Sequence, residues 1–518
     1  MNIKIRLGTF GLKIGWLFLL LSMVSFTTGN TGGKVYISGS YKNGNTSDTI
    51  SVKYFKFFFY HTQSAPDSTF KIIVKNSSFN FQLEHLSNPG YLQILSSKNP
   101  SLQIINYVIE PGDKLHILVL KDSLKFSGIG SVKYTCQYLI SKISNQIWNS
   151  EELNKLLARR RIQLNKEDEY LLLTEIEHRF DSLLHLRLNV IDAFKNKISK
   201  KTRILMKLNC EGDRYFETYS RSFTGLFNDV KNEADSEMIL RFYDNYIKNI
   251  ALDTAEENII YSRSYPLALF WKNWVDVKVQ VNRNRMLNMK LVSFAEFYSF
   301  IKNEYHGTLK ERMIIETYSE LSSARPDASN FFDDAINSIN RISYFKTAIL
   351  NLADKSKIGA IAFNFSLKDT AERIIKLSNF YGKIVLIDCW FTGCGACMES
   401  SVAKAEVINE FKTNKDVVFI TISIDENFQQ WKTSIIGGKY TWPEEINLYT
   451  NGSGYEHPFI EYYQIMSYPK YLLIDAKGKI ISINPPIPWP NSNRGNQLIE
   501  LINNAVKNKK GQLPTKSN

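Results

Sequence analysis

Two cysteines separated by two residues are the strongest chemical signal in this chain of 518 residues. Cys394 and Cys397 follow an apolar run at residues 384–387, which is typical of a strand buried on both faces of a sheet. Beyond Cys397, apolar residues recur at steps of three and four, which predicts a helix that begins at or near Cys394. The apolar residues of this predicted helix are Met398, Val402, Ala405, Ile408 and Phe411.

The position of Cys394 at the start of a helix predicts its reactivity. Unpaired backbone N–H groups and the positive end of the helix dipole favour an anion there, so we expect Cys394 to lose its proton more easily than a free thiol, whose pKa is ~8.5. Cys397 lies one turn further on the same face, within reach for a disulfide and more shielded from solvent. Cys394 is therefore the predicted nucleophile, and Cys397 is the predicted resolving thiol.

Two other interpretations of this cysteine pair have to be weighed. A zinc site needs a second pair of ligands, and the other three cysteines and the seven histidines form no closely spaced pair of the zinc-finger kind. A purely structural disulfide across so short a loop would stabilise little, because the entropic gain grows with loop length. Redox chemistry is thus the favoured interpretation, with metal binding or an inert pair as alternatives. No cofactor is implied.

The residues around the pair resemble a known family. Residues 388–397, DCWFTGCGAC, are similar to the active-site segment of the thioredoxin superfamily, especially the exported TlpA/ResA-like thiol-disulfide oxidoreductases of bacterial envelopes. A second signature follows at residues 468–480, in which the resemblance implies that Pro469 is cis and faces the dithiol. Two departures are Gly393, where this family usually has tryptophan, and Ala396, where it usually has proline.

This resemblance implies roles for the residues beside the dithiol. Asp388 matches the buried acid of cytoplasmic thioredoxins, which helps to accept the proton of the resolving thiol, whereas most exported relatives carry asparagine there. Burial would raise the pKa of Asp388 towards the working pH. The alternative is an acid that is merely satisfied by hydrogen bonds behind the site. Cys389 points away from Asp388 along the strand and is expected to be a small buried side chain. The residues expected to form the substrate-binding surface are Trp390, Gly395, Ala396, Tyr468 and Pro469.

The N-terminal segment predicts where the chain is located. In residues 1–29, three basic residues precede an apolar run at 14–26 that is too short for a comfortable transmembrane helix, which is typical of an export signal. An uncleaved anchor is the alternative. The net charge of +13 is spread along the chain apart from three consecutive arginines at 159–161, so we expect no nucleic-acid partner. Peripheral or anchored membrane association stays possible.

Changes of periodicity predict an α+β multi-domain chain. Residues 34–131 alternate with period two between turn signals and predict a β-sandwich-like domain, whereas residues 132–357 have helical spacing. Residues 358–510 predict a thioredoxin-like α/β domain with a central mixed sheet flanked by helices, followed by a disordered tail at 511–518. The segment 441–460 is interpreted as a variable loop beside the active site. Cys136 and Cys210 fall in the helical part, where a disulfide between them is one option.

The predicted function is that of an envelope thiol-disulfide oxidoreductase. The resemblance implies partners of two kinds, namely disulfide-containing exported proteins and a membrane electron-donor protein. Strong oxidants of this superfamily typically carry a histidine between the cysteines, and Gly395 and Ala396 provide none, which favours reduction. A non-catalytic binding protein that uses the thioredoxin fold as a scaffold is one alternative. A thioredoxin-like peroxidase is another, but it should carry a P-x3-T-x2-C arrangement, whereas here Thr392 lies two residues before Cys394 and no such proline precedes it.

Overall fold

The computed structural model describes residues 33–511, except 43–47, 58–65, 160–163, 224–225, 227–229, 256, 322–324, 464 and 466. The predicted export signal at 1–29 and residues 512–518 of the predicted tail lie outside this range. The chain divides into two compact units, Met1–Val292 and Ser293–Asn518. Residues 293–357, which have helical periodicity, belong to the second unit, so the predicted helical segment is shared between the two units.

The N-terminal part of the first unit is a β-sandwich in which two sheets share one core. Within the described residues the sheets are four-stranded, with strand orders β4-β1-β7-β8 and β3-β2-β5-β6. The strands are β1 (Gly33–Tyr41), β2 (Thr49–Phe55), β3 (Ser68–Ile73), β4 (Ser78–Leu86), β5 (Gly90–Ser96), β6 (Gln103–Ile109), β7 (Lys114–Val119) and β8 (Leu124–Ile129). Alternate side chains such as Val35, Ile37 and Val52 are buried in the common core, as the period of two predicts.

One pairing in the sandwich differs from the antiparallel arrangement that the turn signals favour. Strands β1 and β7 pair in parallel, whereas β1 pairs with β4 in the antiparallel direction. A parallel pair needs a long crossover, and the strands of the second sheet lie between β1 and β7 in the sequence and supply one.

Helices follow the sandwich in the first unit. They are α1 (Ser131–Trp148), α2 (Glu151–Arg159), α3 (Lys166–Ala193), α4 (Lys200–Phe216), α5 (Glu233–Phe242) and α6 (Tyr265–Asn282). Side chains at the N-caps of α3 and α4, Asn165 and Ser199, accept backbone N–H bonds that the first turns leave unpaired. Helices α1, α3 and α4 bury apolar residues against Tyr91 and Val108 of the second sheet. Cys136 and Cys210 lie in this shared core as free thiols.

The second unit begins with helices α7 (Phe294–Glu304), α8 (Gly307–Leu321), α9 (Phe332–Ser338) and α10 (Tyr344–Ser356). The helical spacing of residues 294–321 runs across two of these helices. The helix is interrupted because Tyr305 has an extended backbone and Gly307 has a φ of +57°. A glycine tolerates this left-handed conformation, which ends one helix and redirects the chain into the next.

A mixed sheet is the centre of the second unit, with the strand order β10-β9-β13-β12-β11-β14-β15 in the described residues. Its strands are β9 (Ser366–Asp369), β10 (Ile374–Lys376), β11 (Ile384–Trp390), β12 (Val417–Ser423), β13 (Ile446–Tyr449), β14 (Lys470–Ile474) and β15 (Ile480–Ser482). Its helices are α11 (Gly395–Phe411), α12 (Phe428–Ile436), α13 (Pro458–Tyr463) and α14 (Arg494–Gly511). The central strands β11 and β12 are parallel, and β14 runs antiparallel to β11.

Both faces of this sheet are covered by buried apolar side chains, as we expect for the single domain predicted at residues 358–510. Val385 and Ile387 of β11 are buried on one face, and Ile384 and Leu386 are buried on the other. One detail differs from prediction, because the predicted loop at 441–460 contains strand β13 and part of helix α13. Strand β13 pairs with β12 and β9, so these residues complete the sheet. None of the described helices is both long and apolar enough to span a membrane.

Candidate active site

The cysteine pair lies where strand β11 passes into helix α11. Cys394 is the N-cap residue of α11, and its Sγ accepts a hydrogen bond from the backbone N–H of Cys397 at 3.1 Å. The two cysteines form a disulfide, with their Cα atoms 5.2 Å apart. The sulfur of Cys394 therefore occupies the position at which a helix N-terminus best stabilises a negative charge.

The exposure of the two sulfurs differs from the expectation. Cys394 and Cys397 are each 5% exposed, so the structure does not make Cys394 the more accessible residue. The disulfide holds both sulfurs together against a cluster that includes the buried rings of Trp390, Trp431 and Tyr440. Trp390 is fully buried there, so it does not form part of the substrate-binding surface on which it was expected. In this oxidised form, the difference between the cysteines lies in the hydrogen bond to Cys394 and in its place at the helix end.

The loop before Cys394 is held by two residues that are distant in the sequence. Gly393 has a φ of +97°, and its N–H donates to the Tyr440 hydroxyl at 2.9 Å. Tyr440 also stacks on Trp390 with ring centroids 4.6 Å apart. The backbone N–H and the hydroxyl of Thr392 each donate to the Asp425 carboxylate at 2.8 Å. Sequence reasoning missed both Tyr440 and Asp425, which meet the loop only in the folded sheet.

The backbone of Gly393 gives a first testable prediction. We expect Gly393→Ala to destabilise the active-site loop by about 1–2 kcal/mol, because a side chain disfavours the left-handed conformation. A methyl group at Gly393 or Gly395 would meet no atom within 4 Å, so steric crowding does not contribute. Hydrogen exchange of peptides from β11 and α11 measures the local opening free energy. Gly395→Ala is the matched control, and equal opening free energies in the two variants would contradict this explanation.

The carboxylate of Asp388 belongs to a buried cluster of three charged side chains. Lys404 Nζ donates to Asp388 Oδ2 at 2.6 Å and lies 2.7 Å from Glu445 Oε1. The side chains of these three residues are at most 7% exposed. Asp388 Oδ1 has no hydrogen-bond partner within the part of the chain that the structure describes. We call Asp388, Lys404 and Glu445 the buried charge cluster.

The buried face of the helix that supplies Lys404 agrees with the predicted face at Ile408 but not at Val402. Val402 was assigned to the buried face but is 67% exposed, whereas Lys404 is fully buried. Lys404 lies three and four residues before Val407 and Ile408, which are also buried. A lysine at helical spacing from buried residues was thus the available signal, but its partner Glu445 lies 41 residues further along the chain.

Burial and charge compete within the cluster. Burial raises the pKa values of Asp388 and Glu445, and the neighbouring Lys404 opposes this rise. Burial alone would lower the pKa of Lys404, but the two carboxylates together raise it well above its ordinary value. Lys404 is therefore protonated at neutral pH. One buried cation facing two buried acids favours a state in which one acid keeps a proton.

The remaining residues singled out in the sequence differ in their surroundings. The Tyr468–Pro469 bond is cis, as the resemblance implies, and Tyr468 packs against the cluster of side chains that holds both cysteines. Gly395 and Ala396 are exposed beside the disulfide. Cys389 is a fully buried free thiol among aliphatic side chains, and burial raises its pKa well above the ordinary value. Among the described residues, no cluster of three or more potential metal ligands occurs.

The strand order and the helix-capping dithiol define a thioredoxin-like domain. A family model described as thioredoxin-like matches residues 382–480. The chain is also 30% identical over 128 residues to the thiol-disulfide oxidoreductase ResA of Bacillus thuringiensis and of Bacillus cereus, spanning 25% of this chain and 69% of each relative. The chain therefore belongs to the TlpA/ResA-like family of the thioredoxin superfamily and is a protein-disulfide oxidoreductase.

Solved structures from Bacteroides are also similar to part of the chain. A thioredoxin domain of a thiol-disulfide oxidoreductase from Bacteroides vulgatus is 26% identical, with 28% of this chain and 96% of that chain covered and a TM-score of 0.23. A thiol:disulfide interchange protein from Bacteroides sp. is also 26% identical, with 30% and 96% covered and a TM-score of 0.25.

Proposed function

We propose that the chain reduces disulfides of exported partner proteins through a dithiol-disulfide cycle of Cys394 and Cys397. The observation that carries this proposal is the disulfide itself, closed at the N-terminus of α11 with Cys394 as the capping residue. The buried charge cluster supports the proposal. Its Asp388 lies on strand β11 and its Lys404 lies on helix α11, which are the two elements that meet at the dithiol.

The first step is nucleophilic attack by Cys394. In the reduced protein, the Cys394 thiolate keeps its place at the helix N-terminus, where the N–H of Cys397 and the helix dipole stabilise the charge. The thiolate forms a bond to one sulfur of a partner disulfide, and the other partner sulfur leaves as a thiolate. The product is a mixed disulfide between Cys394 and the partner.

The second step releases the partner. Cys397 transfers its proton to Asp388 and attacks the Cys394 sulfur, which re-forms the intramolecular disulfide and frees the second partner thiolate. Two electrons have then passed from the dithiol to the partner. A membrane electron-donor protein would have to return the oxidised pair to the dithiol before another cycle.

The surface beside the disulfide suits an extended partner segment. Gly393 and Gly395 have open space where a side chain would begin, and Ala396 is small and exposed. We place Tyr468 and Pro469, which come just before strand β14, on the same surface, because Tyr468 packs in the cluster that holds both cysteines. Small residues beside the sulfurs would allow a partner backbone to approach them closely.

We infer two further features of the reaction from the sequence, namely that it is a reduction and that it takes place in the cell envelope. The absence of a histidine between the cysteines favours reduction, and the signal-like segment at residues 1–29 favours export to the cell envelope. An oxidising envelope closes dithiols unless electrons are supplied, which is why a dedicated donor forms part of this proposal.

The role of Asp388 is tested by the pH dependence of insulin reduction by the full chain. We expect Asp388→Asn to leave the attack by Cys394 almost unchanged but to slow release of the partner about 10-fold or more near pH 7, where an unassisted thiol is mostly protonated. This deficit should shrink at high pH, because a thiol needs less help from a base as the pH rises towards and beyond the ~8.5 of an ordinary cysteine.

Glu399→Gln provides a matched control, because Glu399 is an exposed acid on the same helix. A deficit that is constant across the pH range would assign Asp388 a structural role only. Absence of thiol-dependent turnover in the unaltered protein would favour the alternative, a binding protein with a thioredoxin-like scaffold.

A further inference from the structure

A cleft in the first unit takes no part in the thiol chemistry. We propose that it binds a singly charged organic carboxylate that carries an aromatic ring. The cleft lies between strand β6 and helices α1, α3 and α4, and we call it the arginine cleft after Arg187 and Arg263 in its wall. This proposal does not depend on the redox activity.

The size of the arginine cleft suits a small organic ligand. It consists of two adjoining cavities of about 400 and 620 Å³. The cavities are continuous because five residues line both of them: Ile105, Asn106, Arg187, Asp213 and Arg263. Volumes of roughly 300–1,000 Å³ are usual for small-molecule sites.

Arg187 supplies the charge that an anion would meet. It is 8% exposed, and its Nε donates to Ser144 Oγ at 2.9 Å. Its Nη1 lies 3.9 Å from Asp213 Oδ2, beyond hydrogen-bond distance, and its terminal nitrogens make no hydrogen bond to any described residue. Asp213 is instead in close contact with Arg263. Arg187 and Arg263 therefore approach the same carboxylate, and the terminal nitrogens of Arg187 are the donors left to meet an anion in the cleft.

A neighbouring buried arginine, Arg214, is fully paired with acidic side chains and provides a comparison for Arg187. Arg214 is also buried, and its guanidinium lies 2.8 Å from Glu177 and 2.9 Å from Asp181. Arg187 lacks a comparable partner, and a buried guanidinium with unmet donors is costly unless an anion completes its hydrogen bonds. Carboxylates match the planar donors of arginine. Since Asp213 and Glu217 also line the cleft, a monoanion suits the charge balance better than a phosphate dianion.

Part of the lining of the smaller cavity is apolar. It contains Trp148, Phe180, Leu183 and Phe216. The rings of Trp148 and Phe180 are packed with their centroids 5.4 Å apart, which gives a rigid aromatic surface near the charged wall. A ligand ring can pack on this surface while its carboxylate reaches Arg187. Both a free aromatic acid and the C-terminal aromatic residue of a peptide have this chemistry.

Calorimetric titration of the full chain tests the proposal. The probes are 3-phenylpropionate for a free acid, N-acetylphenylalanine for a peptide C-terminus, and N-acetylphenylalanine amide as the neutral control. We expect at least one of the two acids to bind. If N-acetylphenylalanine binds, its affinity should be about 10-fold higher than that of its amide, because only the acid forms a charged hydrogen bond. Binding of the first acid alone identifies free acids as the source. No binding of either acid at millimolar concentration, or equal affinity for N-acetylphenylalanine and its amide, overturns the proposal.

Two variants locate the binding. Arg187→Met should abolish acid binding, whereas Arg179→Met on the same helix should not, because Arg179 is an exposed side chain paired with Glu152. Ile105→Trp is a second variant that leaves all charges in place and fills the cleft from an exposed strand position. Ile73→Trp, at an exposed position outside the cleft, is its control. Acid binding that survives Ile105→Trp overturns the proposal even if Arg187→Met fails to fold.

Discussion

Replacing Cys397 by serine should leave the protein covalently attached to its partners. The Cys394 thiolate still attacks a partner disulfide, but no second sulfur is present to release the product, so mixed disulfides accumulate. We expect multiple turnover of insulin to fall by on the order of 10³-fold or more, as is usual when a group acting in a concerted catalytic unit is removed. Non-reducing gels of envelope extracts measure the trapped complexes.

Two further variants separate the roles of the sulfurs. Cys394→Ser should form no mixed disulfide, because the residue at the helix N-terminus is the one whose thiolate is stabilised. Cys389→Ala is the matched control, since Cys389 is a buried free thiol directly preceding Trp390 on the same strand. Complexes that persist in Cys394→Ser and disappear in Cys397→Ser would reverse the assignment.

Removing the lysine of the buried charge cluster should strongly destabilise the second unit. Lys404→Met leaves Asp388 and Glu445 buried without their cation, and breaking a buried ion pair in this way costs about 3–5 kcal/mol. Hydrogen exchange of peptides from β11 and β12 reports the loss locally. Lys412→Met, at an exposed lysine just after the same helix, should have little effect.

The pH dependence of this loss identifies its electrostatic origin. Burial raises the pKa values of both acids, so their protonated forms favour the folded state, and this contribution falls as the pH rises above their ordinary values near 4. Lys404→Met should therefore cost more at neutral pH than at about pH 4.5, where the acids can stay neutral.

A fully neutral cluster checks the same explanation. Lys404→Met combined with Asp388→Asn and Glu445→Gln should recover much of the lost free energy, because no uncompensated charge remains buried. If the triple variant is as unstable as Lys404→Met alone, the lysine acts mainly through its packing in the helix.

Short stretches of sequence determined the redox site. The apolar run at residues 384–387 encodes a strand buried on both faces, and the spacing after Cys397 encodes the helix, so the dithiol had to lie at their junction. Successive side chains of a strand point to opposite faces of its sheet, so Asp388 and Cys389 of β11 lie on opposite sides. These features depend on a few neighbouring residues, which is why they can be predicted without knowledge of the fold.

Tertiary structure alone decided which distant side chains complete each site. Tyr440 and Asp425 hold the active-site loop, and Glu445 joins Lys404, only because strand β13 and the segment before it pack beside β12. In the first unit, Arg187 lines a cleft because α3 packs near β6, a strand that precedes it by many residues. Local periodicity shows which face of a helix or strand is buried, but it does not show which other element packs against that face. Hydrogen bonds between buried polar groups depend on this packing, because the donor and the acceptor come from different elements.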